Sequence, residues 1–144
     1  MLDMYGALVK VKLDKGAKMP TKAHDADAGF DLYTPYEFTV KAGGSATVLT
    51  GTHMIIPRGF CGLLVSKSGL NTKHDIQTTG LVDAQYTGEI VVKVQNHGKD
   101  DYHFNKGDKV SQIMILPVPK VVLVEIDDLP FTERGDNGFG SSGR

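Results

Sequence analysis

From Leu8 to Leu13 the chain reads Leu-Val-Lys-Val-Lys-Leu, which puts Val9, Val11 and Leu13 on one side and Lys10 and Lys12 on the other. A period of two marks a strand buried on one face. Short runs rich in Val, Ile, Thr and Phe follow at 37–40, 45–50, 53–56, 60–66, 88–95, 109–116 and 120–126, and each predicts a strand. Turn formers separate them: Thr34-Pro35, Ala42-Gly43-Gly44, Pro57-Arg58-Gly59, His97 to Asp100 and Asn105 to Asp108. Only Ser68 to His74 suits a helix, of about two turns. Even spacing of short strands predicts an all-β sandwich or barrel and argues against a doubly wound nucleotide-binding fold.

The 144 residues fit one domain, with a packed body from about residue 4 to residue 130. Residues 132–144 read differently, since Gly135, Gly138, Gly140 and Gly143 leave too little apolar bulk to pack, and they predict a mobile arm. With 16 basic and 17 acidic residues well mixed, a net charge of -1 gives no reason to expect nucleic acid or a membrane surface as a partner. Cys61, the sole cysteine, lies in an apolar run and reads as a small strand residue in a reducing compartment. No apolar run approaches a membrane span and the start has no signal-peptide pattern, so a cytoplasmic location is expected.

Several segments carry groups suited to chemistry. The arm combines close-approach glycines with Ser141, Ser142, Arg134, Arg144 and the single aromatic Phe139, a set suited to phosphate plus a flat ring, though a disordered tail would look similar. In Thr78-Thr-Gly-Leu-Val-Asp-Ala-Gln-Tyr-Thr-Gly, a two-residue turn at Ala84-Gln85 would set Asp83 directly opposite Tyr86 on one face; an ordinary exposed hairpin tip is the alternative. Val65 to Leu70 ends a strand and opens the helix, where Lys67 and Ser68 could meet an anion, or Ser68 could simply cap the helix. Val110, Gln112 and Met114 share a strand face, and the glutamine there needs a partner if buried. Asp25, Asp27 and Asp31 could hold a hydrated cation or sit in a solvated turn. The five histidines show no metal-ligand spacing.

Taken in order, the Asp31 segment, Ser66-Lys-Ser-Gly69, Gly80-Leu-Val-Asp-Ala-Gln-Tyr86, Gly107-Asp-Lys-Val-Ser-Gln112 and Arg134-Gly-x-x-Gly-Phe-Gly-Ser-Ser-Gly143 resemble the five-motif signature of the trimeric dUTPases across nearly the whole chain. The resemblance implies a distorted jelly-roll β-barrel with one short helix and a flexible glycine-rich C-terminal arm. It implies hydrolysis of dUTP to dUMP and pyrophosphate, which supplies dUMP for thymidylate synthesis and keeps uracil out of DNA, in a homotrimer with shared active sites. Asp83 is then the base that activates water for in-line attack on the α-phosphorus, Tyr86 the platform under deoxyribose, Phe139 the ring over uracil, and Gln77 the side chain assisting base readout. Lys67, Ser68, Gly69, Gln112, Arg134, Gly140, Ser141 and Ser142 become phosphate ligands. Asp31 should meet the water shell of a Mg²⁺ held mainly by the phosphates. Three departures stand out, Lys67 where arginine is usual, Gln77 where an asparagine commonly assists and Gln85 where a second aspartate is common. A related dCTP deaminase would need a glutamate at the place of Lys93, and a dUTP-sensing regulatory protein would use the same pocket without turnover.

Overall fold

The computed structural model describes residues 6–143; residues 1–5 and Arg144, one of the charges assigned to the arm, lie outside the described residues. Among the described residues nine strands and one helix follow one another as β1 Lys10–Leu13, β2 Phe30–Tyr33, β3 Phe38–Val40, β4 Ser45–Ile55, β5 Phe60–Val65, α1 Ser68–His74, β6 Ile76–Val82, β7 Glu89–Asn96, β8 Tyr102–Phe104 and β9 Lys109–Pro117. Seven form one antiparallel sheet in the order β1-β4-β7-β6-β5-β9-β2, curled into the half-barrel of a jelly roll, and β3 pairs with β8. The core inside the curl holds Leu32, Val40, Val48, Ile56, Leu64, Val92, Phe104 and Ile113.

Val9 and Val11 pack on that core as the alternation predicts, while Leu13, at the strand end, is exposed. The two runs expected at 45–50 and 53–56 are one strand, β4, bulged where Gly51 takes φ 68. A side chain there would collide with Ala17, whose Cβ lies 2.9 Å from the position a Cβ would occupy, so glycine lets the 14–17 loop approach.

The strand expected at 120–126 is not formed. Val121, Val122, Leu123, Val124 and Ile126 are all exposed, because the alternation finds no ladder partner among the described residues of its own chain. Conversely, Phe30–Tyr33, Ile76–Val82 and Tyr102–Phe104 are strands that the sequence reading did not assign.

Candidate active site

β6 changes partners along its length. Ile76, Gln77 and Thr78 pair with Asn96, Gln95 and Val94 of β7, whereas Thr79 to Val82 pair with Val65 to Gly62 of β5. Beyond Thr78 the β6–β7 hairpin therefore splays, and the facing strand edges have no ladder bonds to each other. The gap is a cleft of about 310 Å³ whose walls include Gly80, Leu81, Asp83, Tyr86, Glu89 and Val91. Unsatisfied backbone donors and acceptors along such a cleft suit a flat, polar ring slipped between the strands.

Asp83 and Tyr86 close its open end. The Tyr86 N–H donates to the Asp83 carbonyl at 3.3 Å, and Gln85 takes the left-handed φ of 65 that the second central residue of a type II turn requires. The expected turn thus exists, but the expected cross-strand pair does not: carrying the β6–β7 register onward would set Asp83 against Glu89, and the strands have already parted. Tyr86 instead lies over Gly88, where a Cβ would stand 2.2 Å from its hydroxyl oxygen, and its hydroxyl donates to the Glu89 carbonyl at 3.1 Å. Gly88 was missed from sequence; the tyrosine two residues earlier is what demands it. Gln77 lies in the paired stretch beyond the closed end of the cleft, about 20 Å from Asp83 at 3.3 Å per residue, and its side-chain amide oxygen accepts from His97 Nε2 at 3.1 Å.

The other end of the β5–β6 ladder is charged. Asp31 on β2 lies opposite Gln112 on β9, and Val65 at the end of β5 lies on the other side of Gln112. Lys67 Nζ approaches Asp31 Oδ1 at 2.5 Å, and Lys109 Nζ approaches Oδ2 at 3.1 Å. Asp31 is 4% exposed. Burial alone would push its carboxyl up, but the hydrogen bonds and charges of Lys67 and Lys109 win and hold it below the usual carboxylate range, while Asp31 in turn holds the Lys109 ammonium above its ordinary value. Gln112 is half-buried and donates from Nε2 to the Ser66 carbonyl at 3.0 Å. Gly29 makes room for it, since a Cβ there would stand 2.7 Å from Gln112 Oε1.

Lys67, Asp31 and Gln112 are thereby brought together from three distant segments. Ser68 is not the cap of α1: Lys67 holds that position, with no side-chain cap bond, and Ser68 and Gly69 form the first helical residues. Lys109 was not singled out by sequence reasoning, although it lies within the Gly107-to-Gln112 segment. Both oxygens of Asp31 are engaged by lysines, unlike the solvated turn or cation site that the acidic run alone suggests.

The arm is brought to neither end. Phe139 is fully exposed at φ 44, and the described hydrogen bonds of the arm stay within it, from Arg134 Nε to the Asn137 carbonyl, from Ser141 N–H to the Gly138 carbonyl and from Gly143 N–H to the Gly140 carbonyl. Ser142 is likewise exposed.

Comparison with known proteins shows the family to which this chain belongs. The model described as dUTPase matches residues 15–143. The chain belongs to the dUTPase family. A deoxyuridine 5'-triphosphate nucleotidohydrolase of Clostridium acetobutylicum is 40% identical over 135 residues, covering 92% of this chain and 93% of that protein. Among solved structures, the dUTPase of Staphylococcus bacteriophage 80alpha with dUPNHPP superposes with a TM-score of 0.90 at 28% identity, covering 95% of this chain and 99% of that one. A mutant dUTPase from phage phi11 of S. aureus, whose structure reveals the coordination of a structural Mg(II) ion, gives a TM-score of 0.78 at 25% identity, covering 85% of this chain and 98% of that one. As a dUTPase-family jelly roll the chain has no described helix long and apolar enough to cross a membrane. At the place where a deaminase would need its glutamate, Lys93 stands exposed on β7.

Proposed function

We propose that this dUTPase-family chain hydrolyses dUTP to dUMP and pyrophosphate in sites assembled between copies of a homotrimer. The observation that carries the reading is the separation of the two charged ends. Gly62 pairs with Val82 and Val65 with Thr79, so Asp83 and Lys67 lie beyond opposite ends of the β5–β6 ladder. At about 3.3 Å per residue they are roughly 17 to 20 Å apart, too far for one carboxylate to act on a phosphate held by that lysine. A second copy supplying the Asp83 end, with the arm of a third reaching over both, makes the set complete; the exposed apolar run 121–126 is further surface for such contacts.

In this reading uracil enters the β6–β7 gap and is recognised by strand-edge N–H and C=O groups, with Gln77 assisting from the closed end. Tyr86, fixed over Gly88, packs under the deoxyribose and leaves no space for a 2′-hydroxyl. Phe139 covers the base, a stacking contact of about 1 to 3 kcal/mol. Lys67, Ser68, Gly69, Gln112, Arg134, Gly140, Ser141 and Ser142 hold the phosphates. Asp83 takes a proton from water as its oxygen attacks the α-phosphorus in line with the departing pyrophosphate oxygen. Binding, orientation and charge neutralisation supply most of the acceleration.

Among the described residues no group of three His, Cys, Asp or Glu side chains could cage a metal. A Mg²⁺ carried by the triphosphate itself fits this donor set, and it would offset phosphate charge; Asp31 is the residue that would face its water shell once Lys67 turns to the phosphates. The activity serves the cytoplasmic nucleotide pool, where it limits uracil in DNA. Pyrophosphate release measured over dUTP, dTTP, dCTP and UTP, with and without Mg²⁺, tests the reading. Release from dUTP alone is expected, and equal release from UTP, or none from dUTP, overturns it.

A further inference from the structure

His53 belongs to none of the groups assigned above, yet its ring touches Thr87, the residue that follows the turn carrying Asp83 and Tyr86. It lies on β4 just past the Gly51 bulge, paired with Lys12 of β1 on one side and Glu89 of β7 on the other. Nδ1 is 2.9 Å from the Thr87 carbonyl oxygen, and Nε2 is 3.0 Å from a carboxylate oxygen of Asp14. Thr87 directly follows Tyr86. Asp14 is itself fastened to β4, its N–H donating to the Gly51 carbonyl at 2.8 Å.

A carbonyl and a carboxylate can only accept. Neutral imidazole carries one N–H and one lone pair, so it satisfies one of these neighbours and turns a lone pair on the other. Imidazolium donates to both. The bridge from Asp14 through His53 to Thr87 is therefore complete only while the ring is protonated.

We infer that His53 is a positioning residue for the nucleoside-binding turn: protonated, it ties the Thr87 carbonyl to Asp14, and its loss of a proton with rising pH releases one end of that tie. The inference rests on the reading of the Asp83–Tyr86 turn given under Proposed function. The turn's other described anchors are Gln85, whose N–H and side-chain amide both donate to the Ile56 carbonyl, and the Tyr86 hydroxyl on Glu89. None of them holds Thr87.

The charged neighbours are Asp14, Glu89 across the β7 register, Lys12 across the β1 register, and Lys10 lining the same hollow. The hydrogen bond to Asp14, followed by that to Thr87, outweighs desolvation and the repulsion of Lys12, so the ring titrates above its ordinary value of 6.5. A raised value means that the tie is fully made below the ordinary imidazole range and lost as pH climbs through the value in the folded protein.

Two measurements on the full chain test this. In NMR titrations the Thr87 and Gly88 amides are expected to follow the His53 curve. Over the same inflection kcat/KM for dUTP is expected to fall about five- to tenfold, the scale of one net hydrogen bond. His53→Gln should abolish that inflection, and Asp14→Asn, a change at a half-exposed side chain, should move it to lower pH. Amides indifferent to the His53 titration, or variant pH profiles that superimpose on the parental one, overturn the inference. If His53→Gln does not fold, Asp14→Asn decides. A parental chain that releases no pyrophosphate from dUTP at any pH sinks the functional reading instead, and the amide titration still decides the tie.

Discussion

At the Lys67 end of the β5–β6 ladder charge is buried and paired, with Asp31 held between two lysines and Gln112 bonded to the Ser66 carbonyl; at the Asp83 end the chemical groups stand in the open, with Tyr86 47% exposed on a turn. On the proposed reading, a site for a polyanion benefits from cations gathered during folding, although Lys67 must then exchange Asp31 for phosphate. On the same reading, a base at the Asp83 end has no such need until substrate and neighbouring copies surround it. The difference teaches where lesions should strike: stability at the first end, turnover at the second.

The contrast breaks most sharply at Asp83. Asp83→Asn is expected to lower dUTP turnover by about 10² to 10⁴ while nucleotide binding and thermal unfolding stay close to parental, measured by pyrophosphate release, calorimetric titration with a non-hydrolysable analogue and melting curves. Parental turnover in that variant would remove the base from this end altogether. Removing residues 132–144 should leave a folded protein with about 10²-fold less activity, since the arm makes no described hydrogen bond to the body and its loss costs only substrate positioning. A truncated chain of full activity would deny the arm any share in the site.

A smaller effect, on folding rather than catalysis, sharpens the other side. Asp31→Asn strips two lysines of their shared partner and should cost about 1 to 3 kcal/mol by denaturant titration, less than a fully buried pair because both lysines keep contact with water. Asp31 in the folded protein titrates below its ordinary value, so its contribution is present above the ordinary carboxylate range and lost as pH falls through the folded value. The gap between parent and variant should therefore narrow in acid. A gap that widened below pH of about 3 would contradict the assigned pairing.

Much of this was legible in the sequence. The runs giving β5, β7 and β9 and the helix Ser68–His74 follow from composition and turn chemistry, and the order of five short segments points to the family. The failures have physical causes. Phe30–Tyr33 hides as a strand because aspartates crowd it and an aspartate is a poor strand former; only the two lysines, distant in sequence, make a buried Asp31 tolerable. Lys120 to Ile126 has the alternation of a strand but no partner within its chain, and periodicity cannot say who the partner is. The meeting of Asp31, Lys67, Lys109 and Gln112 depends on sheet register, which no local pattern encodes. No sequence pattern marks His53, because its partners come from a loop and from the residue after a turn, both distant along the chain.

The distance between Lys67 and Asp83 has a genetic consequence. If every chain lends its lysine to one site and its aspartate to another, two kinds of dead chain, one damaged at each end, would restore each other in mixed assemblies. By random pairing about a quarter of the sites would receive both intact halves. A chain damaged at both ends could rescue nothing, and each such copy would disable two neighbours' contributions as well as its own.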